Sequence, residues 1–259
     1  SIGSLAVGGV VVKLSNTFKV LAQIVDSTIK GAKNVSVLAD YTGSLKGTAN
    51  GVAGGLLAAG TAQSLSLTEK VTTGAALTNS TVNASETLSV IAQDTHTIRG
   101  TASGYSGAGF VSGGLTRIDT SLTNTTTAQI TGSTVTAKDI VLQAETTIDK
   151  DTRATASSGA LGGSANDVSD NTTVTNKTYA IVGKGSSLTA DDSVTISAET
   201  DNRYKGYATA IAGAIVAKGV ATAAETVTDD VRVQIYPSLI KAGTGNVNIR
   251  AYAKDITSN

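Results

Sequence analysis

The sequence predicts an all-β fold, a parallel β-helix (β-solenoid) built of 53-residue internal repeats. Three observations predict it: a short motif returns at a constant interval, alternating apolar runs follow each return, and the apolar residues are almost all small or branched. The motif starts near residues 27, 80, 133, 186 and 238, which gives intervals of 53, 53, 53 and 52 residues. Such units cannot bury their apolar edges alone, and stacking gives them one continuous core.

The motif that opens each unit reads Ser-Thr-Val-x-Ala in its clearest copies. The five copies are STIKG (27–31), STVNA (80–84), STVTA (133–137), SSLTA (186–190) and SLIKA (238–242). Thr, Val and Ile favour strands, so each copy predicts a short strand at the same position of every unit.

An alternating apolar run follows each motif and ends in Ala. The runs are VSVLA (35–39), LSVIA (88–92), IVLQA (140–144), VTISA (194–198) and VNIRA (247–251). Alternation with a period of two is typical of a half-buried strand. An acidic or amide residue follows the Ala in four units, as Asp40, Gln93, Glu145 and Glu199.

A stretch rich in Gly and Ala comes next, at 47–55, 100–107, 154–159 and 206–213. A Thr-rich strand then leads to two apolar residues that share one side of a strand. These pairs are Ala22/Ile24, Ala75/Leu77, Ala128/Ile130, Ala180/Val182 and Val233/Ile235. The Ala-rich residues 208–226 suit a helix and allow an α-solenoid as the alternative. The glycine density of the equivalent stretches opposes a helix and favours the β-solenoid.

Each 53-residue unit is long for one coil of a slim solenoid, so we expect two coils of about 26 residues per unit. That reading gives nine or ten coils and a stack about 45 Å long at the usual strand spacing. Residues 1–259 form a single β-solenoid segment, and the sequence leads us to expect an excerpt of a longer array.

The net charge, the length of the apolar runs and the absence of Cys limit which partners and which compartment we expect for the chain. Lys+Arg and Asp+Glu are 20 each, so the net charge is zero, which argues against nucleic acid or an anionic membrane as the main partner, and we expect no membrane insertion by this segment. The apolar runs are shorter than a membrane-spanning helix. The chain has no Cys. A cytosolic chain can lack Cys by chance, but the repeat favours a chain exported unfolded through an oxidising compartment, where a premature disulfide would block threading.

The sequence predicts no catalytic, cofactor-binding or metal-binding residue. His96, the single His, is expected on a solvent-facing loop, because no partner repeats at its side. The glycine-rich residues 162–167 (GGSAND) are one imperfect copy of a calcium-binding nonapeptide whose motif requires tandem copies. Paired carboxylates lie at different offsets in the repeat and are interpreted as turn residues; they are Asp191-Asp192, Asp229-Asp230 and Asp149/Asp151.

Thr-rich strands allow an ice-binding solenoid as one alternative, since such proteins present flat Thr-x-Thr ladders. Residues 122–127 (LTNTTT) fit that pattern and residues 174–178 (VTNKT) fit it in part. Residues 227–232 (VTDDVR) carry charges where a flat face would need Thr.

The order of STVNA (80–84), LSVIA (88–92) and the 133–144 segment, followed by Gly/Ala-rich and Thr-rich parts, resembles leukotoxin-type filamentous adhesins. These very large repetitive bacterial exoproteins are related to filamentous haemagglutinins. The resemblance implies a right-handed β-helix, secretion to the bacterial cell surface through an outer-membrane type V pore, and a role in attachment or host-cell damage. It implies a host-cell or neighbouring-cell surface glycan or protein as partner.

Two classes of function therefore remain. The first is a structural and adhesive shaft that is not an enzyme and binds through the outer face of many units at once. The second is a β-helix enzyme acting on polysaccharide, which requires charged side chains that converge on adjacent coils in a groove.

Overall fold

The computed structural model describes residues 2–258, all of them in strands, turns or short connections. The strands are β1 (Ile2–Val25), β2 (Thr28–Ala32), β3 (Val35–Thr78), β4 (Thr81–Ala84), β5 (Thr87–Ala108), β6 (Val111–Thr131), β7 (Thr134–Ala137), β8 (Asp139–Gly159), β9 (Gly163–Val182), β10 (Ser187–Ala190), β11 (Val194–Gly213), β12 (Val216–Ile235), β13 (Leu239–Ala242) and β14 (Val247–Ser258). Every pairing between them is parallel, so the predicted all-β fold and parallel β-helix are confirmed.

Each 53-residue unit forms one wide coil, not two. Leu88 pairs with Val35 of the preceding unit and Ile140 pairs with Leu88, so neighbouring strands are one whole repeat apart. The expectation of two coils of about 26 residues per unit is therefore wrong. Residues 2–258 make four complete coils with partial coils at both ends, about 24 Å of stack at the strand spacing. Each long strand, such as β5 or β6, takes up somewhat less than half of the unit.

A coil consists of a short strand and two long strands that face each other across the core. The short strands form one sheet in the order β13-β10-β7-β4-β2. The first long strand of each coil builds what we call face A: the first half of β3, then β5, β8, β11 and β14. The second long strand builds face B: β1, the second half of β3, then β6, β9 and β12.

The opening motif forms the corner that leads into the short strand. The residue before it has a positive φ in Asp26 (49°), Asn79 (48°) and Gly132 (61°), a conformation that Asp, Asn and Gly tolerate best. The motif's Ser then links neighbouring coils, because the backbone N–H of Ser80 donates to Oγ of Ser133 at 3.1 Å. This contact explains why Ser opens the unit.

The core contains two apolar columns that run along the stack. The first column holds the alternating runs, the short strands and the predicted apolar pairs, for example Val90, Val135 and Ile130. The second lies further along the long strands and includes Leu65, Ile98 and Ala102. Small residues on one face fit large ones on the other: a Cβ on Gly47 would lie 2.6 Å from Cδ1 of Leu65.

The α-solenoid alternative is wrong. Residues 208–226 continue β11, turn near residue 214 and enter β12. The Ala and Gly there alternate between core and surface along two strands, so small side chains suit the close approach of faces A and B.

Candidate functional site

His96 lies inside the core, and the expectation of a solvent-facing loop is wrong. Its side chain is 0% exposed on β5. Its Nδ1 lies 3.0 Å from Oε2 of Glu69 on face B. Its Nε2 lies 2.9 Å from Oδ1 of Asp94, a buried ion-pair contact. The Tyr41 hydroxyl donates to Oε1 of Glu69 at 2.8 Å and completes the group.

The two carboxylates determine the charge of His96. Burial opposes the charged imidazolium, but the contacts with Asp94 and Glu69 raise the pKa of His96 to about 9. Burial also opposes the charge on Glu69, yet its hydrogen bonds with His96 and Tyr41 lower the pKa of that carboxyl. At neutral pH the group is therefore a buried imidazolium between carboxylates.

A polar column continues from this group along the stack between the two apolar columns. Oδ2 of Asp94 accepts hydrogen bonds from Thr73 and Thr126, at 3.2 and 3.3 Å. The hydroxyls of Thr126, Thr146 and Thr178 then follow one another at 2.9 Å. Each contact joins a residue of face A to one of face B, so the column connects both faces over three coils.

The paired carboxylates separate into three kinds of position. Asp191 and Asp192 lie in a turn, as predicted for the whole set. Asp149 is an outward strand residue of β8 that pairs with Arg99. Asp229 points into the last complete coil, where Nδ2 of Asn202 donates to its Oδ2 at 3.0 Å. The turn interpretation is therefore wrong for Asp149 and Asp229. Both lie within strands, where the alternation determines whether a side chain points inward or outward.

Asp229 shares its surroundings with a second carboxylate. Nδ2 of Asn202 also donates to Oδ1 of Asp255, at 3.1 Å. Burial, and then the neighbouring Asp255, raise the pKa of Asp229 to about 6. The carboxyl of Asp229 therefore ionises less readily than an exposed one.

A second buried charge group lies in the second apolar column, near Ile148 and Ala154. Nζ of Lys150 is 2.9 Å from Oε1 of Glu225 and 3.9 Å from Oδ1 of Asp170, and all three side chains are at most 2% exposed. The Thr152 hydroxyl donates to Oδ2 of Asp170 at 2.7 Å. Burial raises the pKa of Asp170 against the opposing charge of Lys150.

These buried groups have the residue types of acid and base catalysis but are closed to a substrate. A catalytic group must reach the atom whose proton it moves. His96, Asp94 and Lys150 are at most 1% exposed between the two faces. Their contacts join the two faces across the core, within one coil or between neighbouring coils. Strand alternation contained the signal: counting in twos from Leu88 and Val90 places position 96 inward.

Outward positions form straight rows, because each coil repeats the last. Two adjacent rows on face B carry Ser or Thr at nine of ten positions. The rows are Ser15, Thr68, Ser121, Thr173, Thr226 and Thr17, Lys70, Thr123, Thr175, Thr228. Thr228 keeps the ladder in the last coil, because its neighbour Asp229 points inward. The charges in residues 227–232 therefore interrupt this ladder less than the sequence suggests.

Face A carries charges of both signs in separate rows. One row is basic in three of four coils, with Lys46, Arg99, Asp151 and Lys205. The acidic or amide residues that follow each alternating run form another row: Asp40, Gln93, Glu145 and Glu199. The depressions on this face are open ones between rows, such as that lined by Arg99, Thr101, Asp151 and Arg153.

Within residues 2–258, no cluster of three or more His, Cys, Asp or Glu side chains is arranged to hold a metal ion. The described part of the chain also has no helix that is long and apolar enough to cross a membrane. The glycine-rich residues 162–167 lie at a turn and the start of β9, where Gly162 donates its N–H to the carbonyl of Phe110 at 3.0 Å.

The fold and its surfaces define a parallel β-helix with closed, charge-braced coils and open outer faces. Comparisons of the chain with protein families, with curated proteins and with solved structures give no match.

Proposed function

We propose that this chain is a structural and adhesive shaft segment of a secreted or surface-anchored bacterial exoprotein, with no catalysis of its own. The observation that carries the proposal is the division between core and surface. The groups suited to acid and base chemistry brace the core, as His96 and Lys150 do. The accessible surface consists of open rows that repeat with every coil.

A surface of this kind suits weak binding repeated many times. A ligand that contacts one coil finds the corresponding side chains of the next coil about 4.8 Å further along the same rows. Linking several weak contacts raises the overall affinity without any single deep pocket. A glycan or protein on a host cell or a neighbouring cell is the partner class we propose. Export through an outer-membrane type V pore agrees with a chain that contains no Cys.

Binding of the chain to a glycan array and to host cells, compared with the full-length protein, tests this function. We expect saturable binding of the chain that grows with the number of coils present. Lys46→Glu and Lys205→Glu change one outward row of face A and should alter the glycan profile. Lys13→Glu on face B is the matched control.

The enzyme alternative predicts a different result in the same samples. Release of new reducing ends from a polysaccharide by the purified chain, abolished by one outward substitution, would refute the shaft proposal. If neither the chain nor the full-length protein binds any glycan or cell type, the adhesive part of the proposal is refuted and only a spacer role is left.

The two hydroxyl rows of face B favour ice as a second candidate ligand. Nine Ser or Thr side chains stand on a regular sheet, at about 4.8 Å between coils and about 6.6 Å along each strand. Thermal hysteresis and ice-crystal shaping by the purified chain test it. Thr123→Lys and Thr175→Lys, in the middle of the ladder, should then abolish both effects, whereas Thr42→Lys on face A should not.

A further inference from the structure

An uncharged, apolar edge runs along one side of the stack, where each coil turns from face A to face B. The turn residues Leu56, Phe110, Leu161 and Ile215 are 77%, 60%, 73% and 88% exposed. They occupy the same turn in four consecutive coils, and we call them the apolar rim. Single exposed apolar residues are ordinary, but a contiguous row marks an interaction surface.

A recess lies beside the rim on face A. The last outward position before each turn is Gly in all four coils, and we call this row the glycine strip: Gly54, Gly107, Gly159 and Gly213. Core packing does not require these glycines. A Cβ on Gly107 would meet nothing within 4 Å, and one on Gly54 would meet only the carbonyl of Gly107, at 4.0 Å. None of them has a positive φ.

Backbone hydrogen bonds link the turns of neighbouring coils. The N–H of Gly109 donates to the carbonyl of Leu56 at 3.0 Å, and that of Leu161 donates to Gly109 at 3.1 Å. Covering the rim therefore buries apolar side chains without leaving these backbone groups unpaired.

From this edge we infer a lateral interface with a second copy of this chain, in which the apolar rim of each copy packs on the glycine strip of the other. The ridge and the recess repeat with the same spacing, once per coil, so they are complementary along their whole length. Small residues let a partner approach the backbone closely. A twofold axis parallel to the stack brings face A of each copy together and keeps both copies pointing in the same direction.

The charge distribution favours a copy of the chain over a lipid surface. Residues 47–68, 100–116, 154–166 and 206–217 around the edge contain no Asp, Glu, Lys or Arg. Two copies therefore meet without like-charge repulsion. Lys and Arg, which would attract anionic headgroups, are missing from the same segments. A membrane also has no need of a glycine recess beside the ridge.

Association of this chain alone should be weak, because four coils give an edge only about 20 Å long. Sedimentation equilibrium at high protein concentration should show a monomer–dimer equilibrium. Gly107→Val fills the recess with a residue that favours strands, so it should keep or raise the unfolding temperature while reducing dimerisation at least tenfold. The double variant Phe110→Asp, Leu161→Asp should also reduce dimerisation, because it places charge on the apolar rim. Thr123→Asp on face B should leave dimerisation unchanged.

Single-Cys variants separate this interface from stacking of coil ends, since the natural chain has no Cys. A mixture of Gly107→Cys and Phe110→Cys, both in one coil, should form a disulfide between the two proteins. A mixture of Gly107→Cys and Ile215→Cys should not. Preferential linkage in the second mixture, or unchanged dimerisation of the folded Gly107→Val variant, would overturn the inference. Binding of all variants to vesicles of neutral lipid, with no dimerisation, would also overturn the inference.

Discussion

Nδ1 of His96 on face A lies 3.0 Å from Oε2 of Glu69 on face B, 27 residues earlier in the chain. The pair joins two neighbouring coils across the core. In the next coil the same rows hold Ile148 and Leu122. A polar pair that occurs once in a repeated stack distinguishes one coil from its neighbours, and we interpret it as a device that specifies register.

The first prediction concerns the cost of breaking this pair. His96→Ile should lower the free energy of unfolding by about 3–5 kcal/mol, because the Glu69 and Asp94 carboxylates lose their buried counter-charge. The triple variant His96→Ile, Glu69→Leu, Asp94→Thr copies the residues of the next coil at these rows. It should regain most of that stability in urea unfolding. A triple variant less stable than the single one would contradict this account.

The second prediction concerns alkaline pH. The folded-state pKa of His96 is about 9, above its usual value of 6.5. The stability contributed by its charge is therefore fully present below pH 6.5 and is lost as pH rises through 9, by roughly 3 kcal/mol. Urea midpoints measured from pH 6 to 10 should fall in this window. The triple variant should lack that fall, and an identical fall in both proteins would assign it to other groups.

The third prediction concerns mildly acidic pH. The pKa of Asp229 is raised to about 6, chiefly by burial, so its ionisation opposes folding. Its destabilising effect is complete above pH 6 and relaxes as pH falls towards the usual value near 4. Asp229→Asn should raise the unfolding temperature at pH 7 and have little effect at pH 4. Asp230→Asn, on the outward side of the same strand, is the control and should not reproduce this pattern.

The fourth prediction tests the corner that opens each unit. Oγ of Ser133 accepts a hydrogen bond from the N–H of Ser80 and donates to the carbonyl of Thr131 at 2.9 Å. Ser133→Ala leaves a buried N–H unpaired and should cost about 1–3 kcal/mol of unfolding free energy. Ser121→Ala on the exposed surface should cost less than about 0.5 kcal/mol. Equal losses of unfolding free energy in the two variants would show that the hydrogen bonds of the motif's Ser do not stabilise the fold.

The sequence predicted the elements of this fold better than their assembly. The motifs at residues 80–84 and 133–137 became β4 and β7, and the runs at 88–92 and 140–144 begin β5 and β8. Those predictions succeeded because strand alternation is local and the repeat carries it five times. The alternation extends well beyond the predicted runs, however: strands of about 20 residues continue through the Gly/Ala-rich stretch to the turn. Position 96 therefore belongs to the core.

By itself, the amino-acid sequence determined the all-β class, the 53-residue unit and the side of the strand on which each residue of a run lies. These depend on a period of two and on spacing along one chain. Only the tertiary structure decided that one unit makes one coil, that His96 meets Glu69, and that the glycines before each turn line an apolar rim. The physical reason is the path of the coil. The number of residues between two side chains that meet across the core depends on how far they lie from the bend, and it is 6 for Ser158 and Ser164 but 27 for His96 and Glu69.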